Sequence, residues 1–108
     1  MQRTNRFAER VFTANERNYC QSKGIACFQS YAARFAAKEA FLKALKTGLK
    51  NTISWQDIEI RNDENGSPYF EIRGEAQKIL QKLGAEKIHL SISHTSKYAV
   101  AIVILERI

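Results

Sequence analysis

The segment Gln29–Thr47 reads as one helix with almost no face left for solvent. At about 100° per residue, Tyr31, Phe35, Leu42, Leu45 and Leu49 fall on one stripe, with Lys38 projecting from its middle and Glu39 and Lys43 along its edge. The opposite side is nearly all alanine: Ala33, Ala37, Ala40 and Ala44. Gly48 closes the helix. A helix of this kind packs on more than one side. Glu39 and its lysines are therefore expected in a packed or half-buried seam, where a carboxylate needs a cation or a bound metal as partner.

The rest of the chain supplies elements to pack around it. Residues 2–12 read as a helix. Thr13-Ala-Asn-Glu16 has the form of a capping box and starts a second helix, which runs to about Ser22 before Gly24. Ser54–Asp57 reads as a turn. Ile58–Asn62 and Tyr69–Arg73 read as strands joined through Asn65-Gly66. Ala76, Ile79, Leu80 and Leu83 recur at helical spacing before Gly84. Two strands follow, Lys87–Ser93 and Tyr98–Glu106, linked by a tight turn around His94–Lys97. Tyr98–Leu105 is so apolar that burial on both faces is expected. The prediction is one α+β domain over residues 1–108, with a small antiparallel sheet packed against helices.

Composition narrows the function. The chain has 108 residues, enough for one modest core. No run of 18 apolar residues is present, so no membrane span is expected. Met1-Gln-Arg-Thr-Asn-Arg6 lacks the apolar segment of a secretory signal. Cys20 and Cys27 match neither a redox pair nor a zinc pattern, and His89 and His94 do not complete one, so reduced thiols in a cytoplasmic protein are expected. The net charge is +6 and the isoelectric point about 9.6. That excess implies a polyanionic partner. It concentrates in Arg34, Lys38, Lys43, Lys46 and Lys50, and again in Arg3, Arg6, Arg10 and Arg17. Few aromatics interleave with these arginines, which counts against nucleic acid as the partner.

Three elements could carry chemistry. Glu39 with Lys38 and Lys43 is either a surface i,i+4 pair or a hard ligand for Mg²⁺ beside a phosphate-neutralising lysine. Ser91-Ile-Ser93-His94 is either a satisfied turn or a phosphate contact by hydroxyl and imidazole. It is no hydrolase elbow, since Gly-x-Ser-x-Gly is missing. Asn65-Gly66-Ser67-Pro68 is by itself a hairpin turn. With no Walker loop and no Gly-x-Gly-x-x-Gly, a nucleotide would have to bind in another way.

In order, these pieces resemble the holo-acyl-carrier-protein synthases, the small bacterial 4′-phosphopantetheinyl transferases. The resemblance is carried by Arg6-Phe-Ala-Glu-Arg-Val-Phe-Thr-x-x-Glu16, Arg34-Phe-Ala-Ala-Lys-Glu-Ala-Phe-x-Lys-Ala-Leu45, Ile53-Ser-Trp-x-Asp-Ile-Glu-Ile60, Asn65-Gly-x-Pro68, Leu90-Ser-Ile-Ser-His-Thr95 and Tyr98-Ala-Val-Ala101. It covers essentially the whole chain. It implies Mg²⁺-dependent transfer of the phosphopantetheine arm of coenzyme A to a serine of apo-acyl carrier protein, with release of adenosine 3′,5′-bisphosphate, a step that serves fatty acid biosynthesis. By the same resemblance Glu39 ligates the metal, Lys43 contacts the diphosphate, and Lys38 and Arg34 surround it. Gly66 and Pro68 line the adenine pocket. The proton acceptor stays open between Glu39 and a metal-bound water. The family works as a homotrimer with sites between subunits, so Ser93 and His94 would serve a neighbour's coenzyme A. Arg3, Arg6, Arg10 and Arg17 would dock the acidic carrier protein.

One departure accompanies the resemblance. Family members begin with a strand bearing Gly-x-Asp-Ile, whose aspartate is a second metal ligand. This chain starts directly in the arginine helix, and a start placed too late or a shortened form is expected. A catalytically impaired module that binds coenzyme A or acyl carrier protein is the alternative reading.

Overall fold

A computed structural model describes residues 6–46 and 53–107. Helices α1 (Arg6–Val11) and α2 (Ala14–Gln21) lead through a 3-10 turn (Gly24–Ala26) into α3 (Cys27–Leu45). A second 3-10 turn (Trp55–Asp57) precedes the hairpin β1 (Ile58–Asn62) and β2 (Pro68–Ile72). Helix α4 (Gly74–Leu83) then leads to the hairpin β3 (Ala85–His94) and β4 (Ala99–Arg107). Both strand pairs are antiparallel and two-stranded. The fold is α+β, as the hydrophobic periods imply.

Local chemistry explains most boundaries. Thr13 and Glu16 form the expected capping box: the Glu16 amide donates to Thr13 Oγ1 at 3.1 Å, and the Thr13 amide donates to Glu16 Oε1 at 2.9 Å. The predicted first helix is seen over Arg6–Val11, and residues 2–5 lie outside the described residues. The long helix starts at Cys27 rather than Gln29, because the 3-10 turn feeds straight into it. Thr47, Gly48 and Leu49 lie outside the described residues. Ser54 and Asp57 cap the second 3-10 turn. In the β1–β2 hairpin, Asp63 Oδ1 accepts from the amides of Asn65 and Ser67, and Gly66 takes φ +83°, a value its missing Cβ permits.

The main core lies where α3 and α4 meet the hairpins. Phe41, Leu42 and Leu45 pack with Ile53, Ile58, Ala76 and Leu80, flanked by Phe70, Ile88, Val103 and Leu105. A second cluster, Ala8, Val11 and Phe12, packs against Tyr31, Phe35 and Trp55. Complete burial of a side chain such as Phe41 contributes about 1.5–3 kcal/mol.

Two sequence expectations are corrected here. The buried side of α3 is centred on Ala33, Ala37 and Phe41, joined by Arg34, Lys38, Leu42 and Leu45, whereas Glu39 and Lys43 are exposed. The packed arc takes Ala33 and Ala37 from the alanine side and Lys38, Leu42 and Leu45 from the apolar stripe, while Ala40 and Ala44 are half-buried. Glu39 therefore sits at no seam of the single chain. The β4 strand is not buried on both faces either. Ile88, Leu90 and Ile92 of β3 lie opposite Leu105, Val103 and Ala101 on the inner face. On the outer face His89, Ser91 and Ser93 pair with Ile104, Ile102 and Val100, and these three apolar residues are 55–56% exposed.

Two of the buried cation and carboxylate sites form ion pairs, Lys38 with Glu16 and Glu59 with Arg73. Lys38 Nζ and Glu16 Oε1 stand 2.8 Å apart with both side chains fully buried. Burial pushes the Lys38 pKa below its ordinary value, and the Glu16 carboxylate opposes that shift. Glu59, also buried, accepts from Thr13 Oγ1 at 2.7 Å and from the Arg73 guanidinium.

Candidate functional site

Arg34 points from the packed side of α3 into a cavity of about 150 Å³. Tyr19 of α2 and Ser30 of α3 form one wall, and Asn62, Gly66 and Pro68 of the β1–β2 hairpin form another. Ile92 and His94 at the end of β3 complete it. The guanidinium lies over the Tyr19 ring, 4.1 Å from its centroid. One of its terminal nitrogens, Nη2, donates to Asn62 Oδ1 at 2.6 Å. Asn62 Nδ2 in turn donates to the Gly66 carbonyl at 3.0 Å, so the hairpin turn and the arginine are tied together.

The electrostatics of this cavity are unusual for a protein interior. Arg34 is 4% exposed, yet among the described residues it has no carboxylate partner, and its Nε has no hydrogen-bond acceptor. Among the described residues, no acidic side chain lines the cavity. A buried cation without a counter-charge is costly in isolation, and an incoming anion or an electron-rich ring edge would relieve that cost. The guanidinium is also pre-organised by Tyr19 and Asn62 to offer planar donors.

The sequence-predicted residues divide among several places. Arg34, Gly66, Pro68 and His94 meet in the cavity. Ser93 does not join them, because strand alternation turns it to the outer face of the β3–β4 hairpin beside Val100. Glu39 follows Arg34 by five positions, about 140° further round the helix, and forms with Lys43 an exposed edge outside the cavity. Arg6 and Arg10 lie exposed on α1, one turn apart. Arg17 is half-buried, and its Nη1 donates to the Phe12 carbonyl at 2.6 Å. Arg3 lies outside the described residues.

Lys38 is a correction. The resemblance placed it around a diphosphate, but its ammonium is fully enclosed and its three donors are directed to Val11 O, Glu16 Oε1 and Trp55 O. It reaches no surface. Tyr19 and Asn62, in contrast, were not singled out from the sequence. Neither carries a motif of its own, and only the folded approach of α2 and β1 to Arg34 gives them a role. An alternating strand ending in asparagine just before a turn was the one available hint for Asn62.

A metal fits the exposed edge in only one way. Among the described residues, no three His, Cys, Asp or Glu side chains gather into a metal-binding group. Glu39 is a single exposed carboxylate. Mg²⁺ is commonly held by one or two carboxylates together with substrate phosphates and water, so the residue suits an ion that arrives with a phosphorylated ligand.

Residues 1–103 match the 4′-phosphopantetheinyl transferase superfamily. The chain belongs to that superfamily. The transferase is 48% identical over 101 residues to a holo-[acyl-carrier-protein] synthase of Koribacter versatilis, covering 94% of this chain and 80% of that relative. It is 44% identical over 107 residues to the holo-[acyl-carrier-protein] synthase of Geobacter metallireducens, covering 99% and 84%. Its fold is similar to the crystal structure of holo-[acyl-carrier-protein] synthase from Neisseria meningitidis, with a TM-score of 0.81 and 36% identity over 95% of this chain and 82% of that one. It is also similar to the synthase from Bacillus anthracis in complex with coenzyme A (3′,5′-ADP), with a TM-score of 0.76 and 43% identity over 94% and 81%. Among the described residues of the transferase, no helix is long and apolar enough to cross a membrane.

Proposed function

We propose that this transferase moves the 4′-phosphopantetheine group of coenzyme A to a serine of apo-acyl carrier protein and releases adenosine 3′,5′-bisphosphate. The observation that carries the reading is the cavity in which Arg34, a buried cation with no counter-charge among the described residues, faces Gly66, Pro68 and His94. Such a site suits the phosphorylated adenosine end of coenzyme A. Gly66 admits close approach of a base, and Arg34 and His94 supply donors to its phosphates.

The serine oxygen of the carrier protein attacks the phosphorus on the pantetheine side of the diphosphate. The bond from that phosphorus to the bridging oxygen breaks, and the electron pair leaves with adenosine 3′,5′-bisphosphate. Glu39 would hold Mg²⁺, which when bound stabilises charge on the diphosphate oxygens. Lys43, one turn along the same exposed edge, neutralises the diphosphate. The serine proton passes to an acceptor at this edge, for which Glu39 is the available carboxylate. Arg6 and Arg10 present an exposed cationic face to the acidic carrier protein, and Arg3 and Arg17 are the further arginines proposed to serve it. A cytoplasmic location accords with two unpaired thiols, Cys20 and Cys27.

A homotrimer accounts for two further observations. The outer stripe Val100, Ile102 and Ile104 is apolar and open in the single chain, which marks a surface for association. The cavity and the Glu39 edge also lie on different sides of α3, so a site between subunits, one supplying Ser93 and His94 and its neighbour Glu39 and Lys43, brings them to one coenzyme A. Release of adenosine 3′,5′-bisphosphate, followed with and without apo-acyl carrier protein and Mg²⁺, tests the reaction. Release that requires both is expected. Coenzyme A binding with no release under any condition would favour the impaired binding module, for which the isolated Glu39 carboxylate is the supporting observation.

A further inference from the structure

The charged pair at the centre of the molecule belongs neither to the cavity nor to the exposed edge. Were packing its only purpose, apolar side chains of similar volume would hold that space as well. The Lys38–Glu16 pair instead makes directional bonds to separate elements. Lys38 Nζ donates to Val11 O at the end of α1 at 2.7 Å and to Trp55 O at 3.1 Å. Glu16 Oε1 accepts from Lys38 at 2.8 Å and from the Thr13 amide at 2.9 Å, while Oε2 accepts from the Ile60 amide of β1 at 2.8 Å. One ion pair thus fixes α1, α2, α3, β1 and the turn before it. Lys38 stands one helical turn after Arg34 and directly before Glu39. The azimuth at which it is held sets where Glu39 points, while Arg34 is held separately by Tyr19 and Asn62. Its bond to Val11 O sets the position of α1, which carries Arg6 and Arg10.

We infer that Glu16 and Lys38 are positioning residues, which hold the carrier-protein face of α1 and the Glu39–Lys43 edge of α3 in the one relative placement that lets a docked serine reach the diphosphate. The inference rests on the transfer reading, so the test carries one measurement that is independent of activity. The variant Glu16→Gln with Lys38→Met removes both charges together, which avoids leaving a lone buried ion, and the glutamine amide can still accept from an amide and donate to a carbonyl.

The double variant is expected to remain folded by circular dichroism and to bind adenosine 3′,5′-bisphosphate within about twofold of the parent by calorimetry. The KM for apo-acyl carrier protein should rise and kcat should fall, each by roughly tenfold or more. Amide exchange in α1 should accelerate while that in α4 stays unchanged. A purely structural role would lower the active fraction alone, reducing kcat with both KM values unaltered, and that result would overturn the inference. So would a folded variant with parental turnover and parental α1 protection. If the double variant does not fold, Glu16→Gln with Lys38→Gln, which likewise leaves no buried charge, gives the same comparison. If the parent itself transfers nothing, the function reading fails, and α1 exchange alone decides the positioning role, with unchanged exchange against it.

Discussion

Arg34 carries more of the functional argument than any other side chain, because burial and the absence of a counter-charge coincide at one atom group beside a cavity. Arg34→Ala is expected to raise the KM for coenzyme A by about 10–100-fold, an effect of roughly 1.4 kcal/mol per decade, with a smaller change in kcat. Steady-state kinetics at saturating carrier protein measures it, and an unchanged KM would remove Arg34 from the site. Glu59 gives a pH signature. Burial would raise its pKa, but hydrogen bonds from Arg73 and Thr13 outweigh burial and hold it below its ordinary value of 4.5. The stability it contributes is therefore present above that ordinary value and is lost as pH falls through the lower, folded one. Melting temperatures across acid pH should fall less steeply for Glu59→Gln than for the parent. Burial also pushes the Cys20 thiol up to about 12, against the opposing influence of Arg34. Cys20 is expected to resist alkylation in the folded protein near pH 8, and rapid modification there would contradict its burial. Arg34 and His94, which line one cavity, stand in motifs visible in the sequence. The internal role of Lys38 was not, since its partner lies 22 residues earlier on another helix and no helical period reports which side of α3 faces inward.

Element boundaries were mostly legible where a cap or a turn residue marked them. The Thr13–Glu16 box and the Asn65-Gly66 turn appear as the sequence implied. The start of α4 was less visible, for Gly74 is there for two local reasons. It takes φ +65°, and a Cβ at that position would stand 2.7 Å from Asp57 Oδ2. Gly74→Ala is expected to cost about 2 kcal/mol or more, seen as a drop in melting temperature of several degrees. A change of less than one degree would show that the turn adapts. Strand β4 teaches a different limit. A continuous apolar run cannot distinguish a strand covered on both faces by its own chain from one whose outer face the chain leaves open. The alternation of Val100, Ile102 and Ile104 with inward Ala101, Val103 and Leu105 becomes readable only once the hairpin register is known.

At the scale of the whole molecule, the Arg34 cavity and the Glu39–Lys43 edge lie on different sides of α3, and a third surface bears an exposed apolar stripe. In the proposed homotrimer, association through β4 would bring the three together. Ile102→Lys is expected to convert a trimer to a monomer in sedimentation and to abolish transfer at low protein concentration, while a monomeric variant with full turnover would contradict a shared site. The central claim is that the Arg34 cavity of one subunit and the Glu39 edge of another act on one coenzyme A. Complementation tests it most directly. Arg34→Ala and Glu39→Ala chains are unfolded together, refolded as a mixture, and assayed for mass gain on apo-acyl carrier protein with Mg²⁺ and with coenzyme A held well below the raised KM of Arg34→Ala, where each chain alone is nearly inactive. Mixed oligomers are expected to regain transfer, because some interfaces then hold both an intact cavity and an intact carboxylate. A mixture as inactive as its parts would contradict the account.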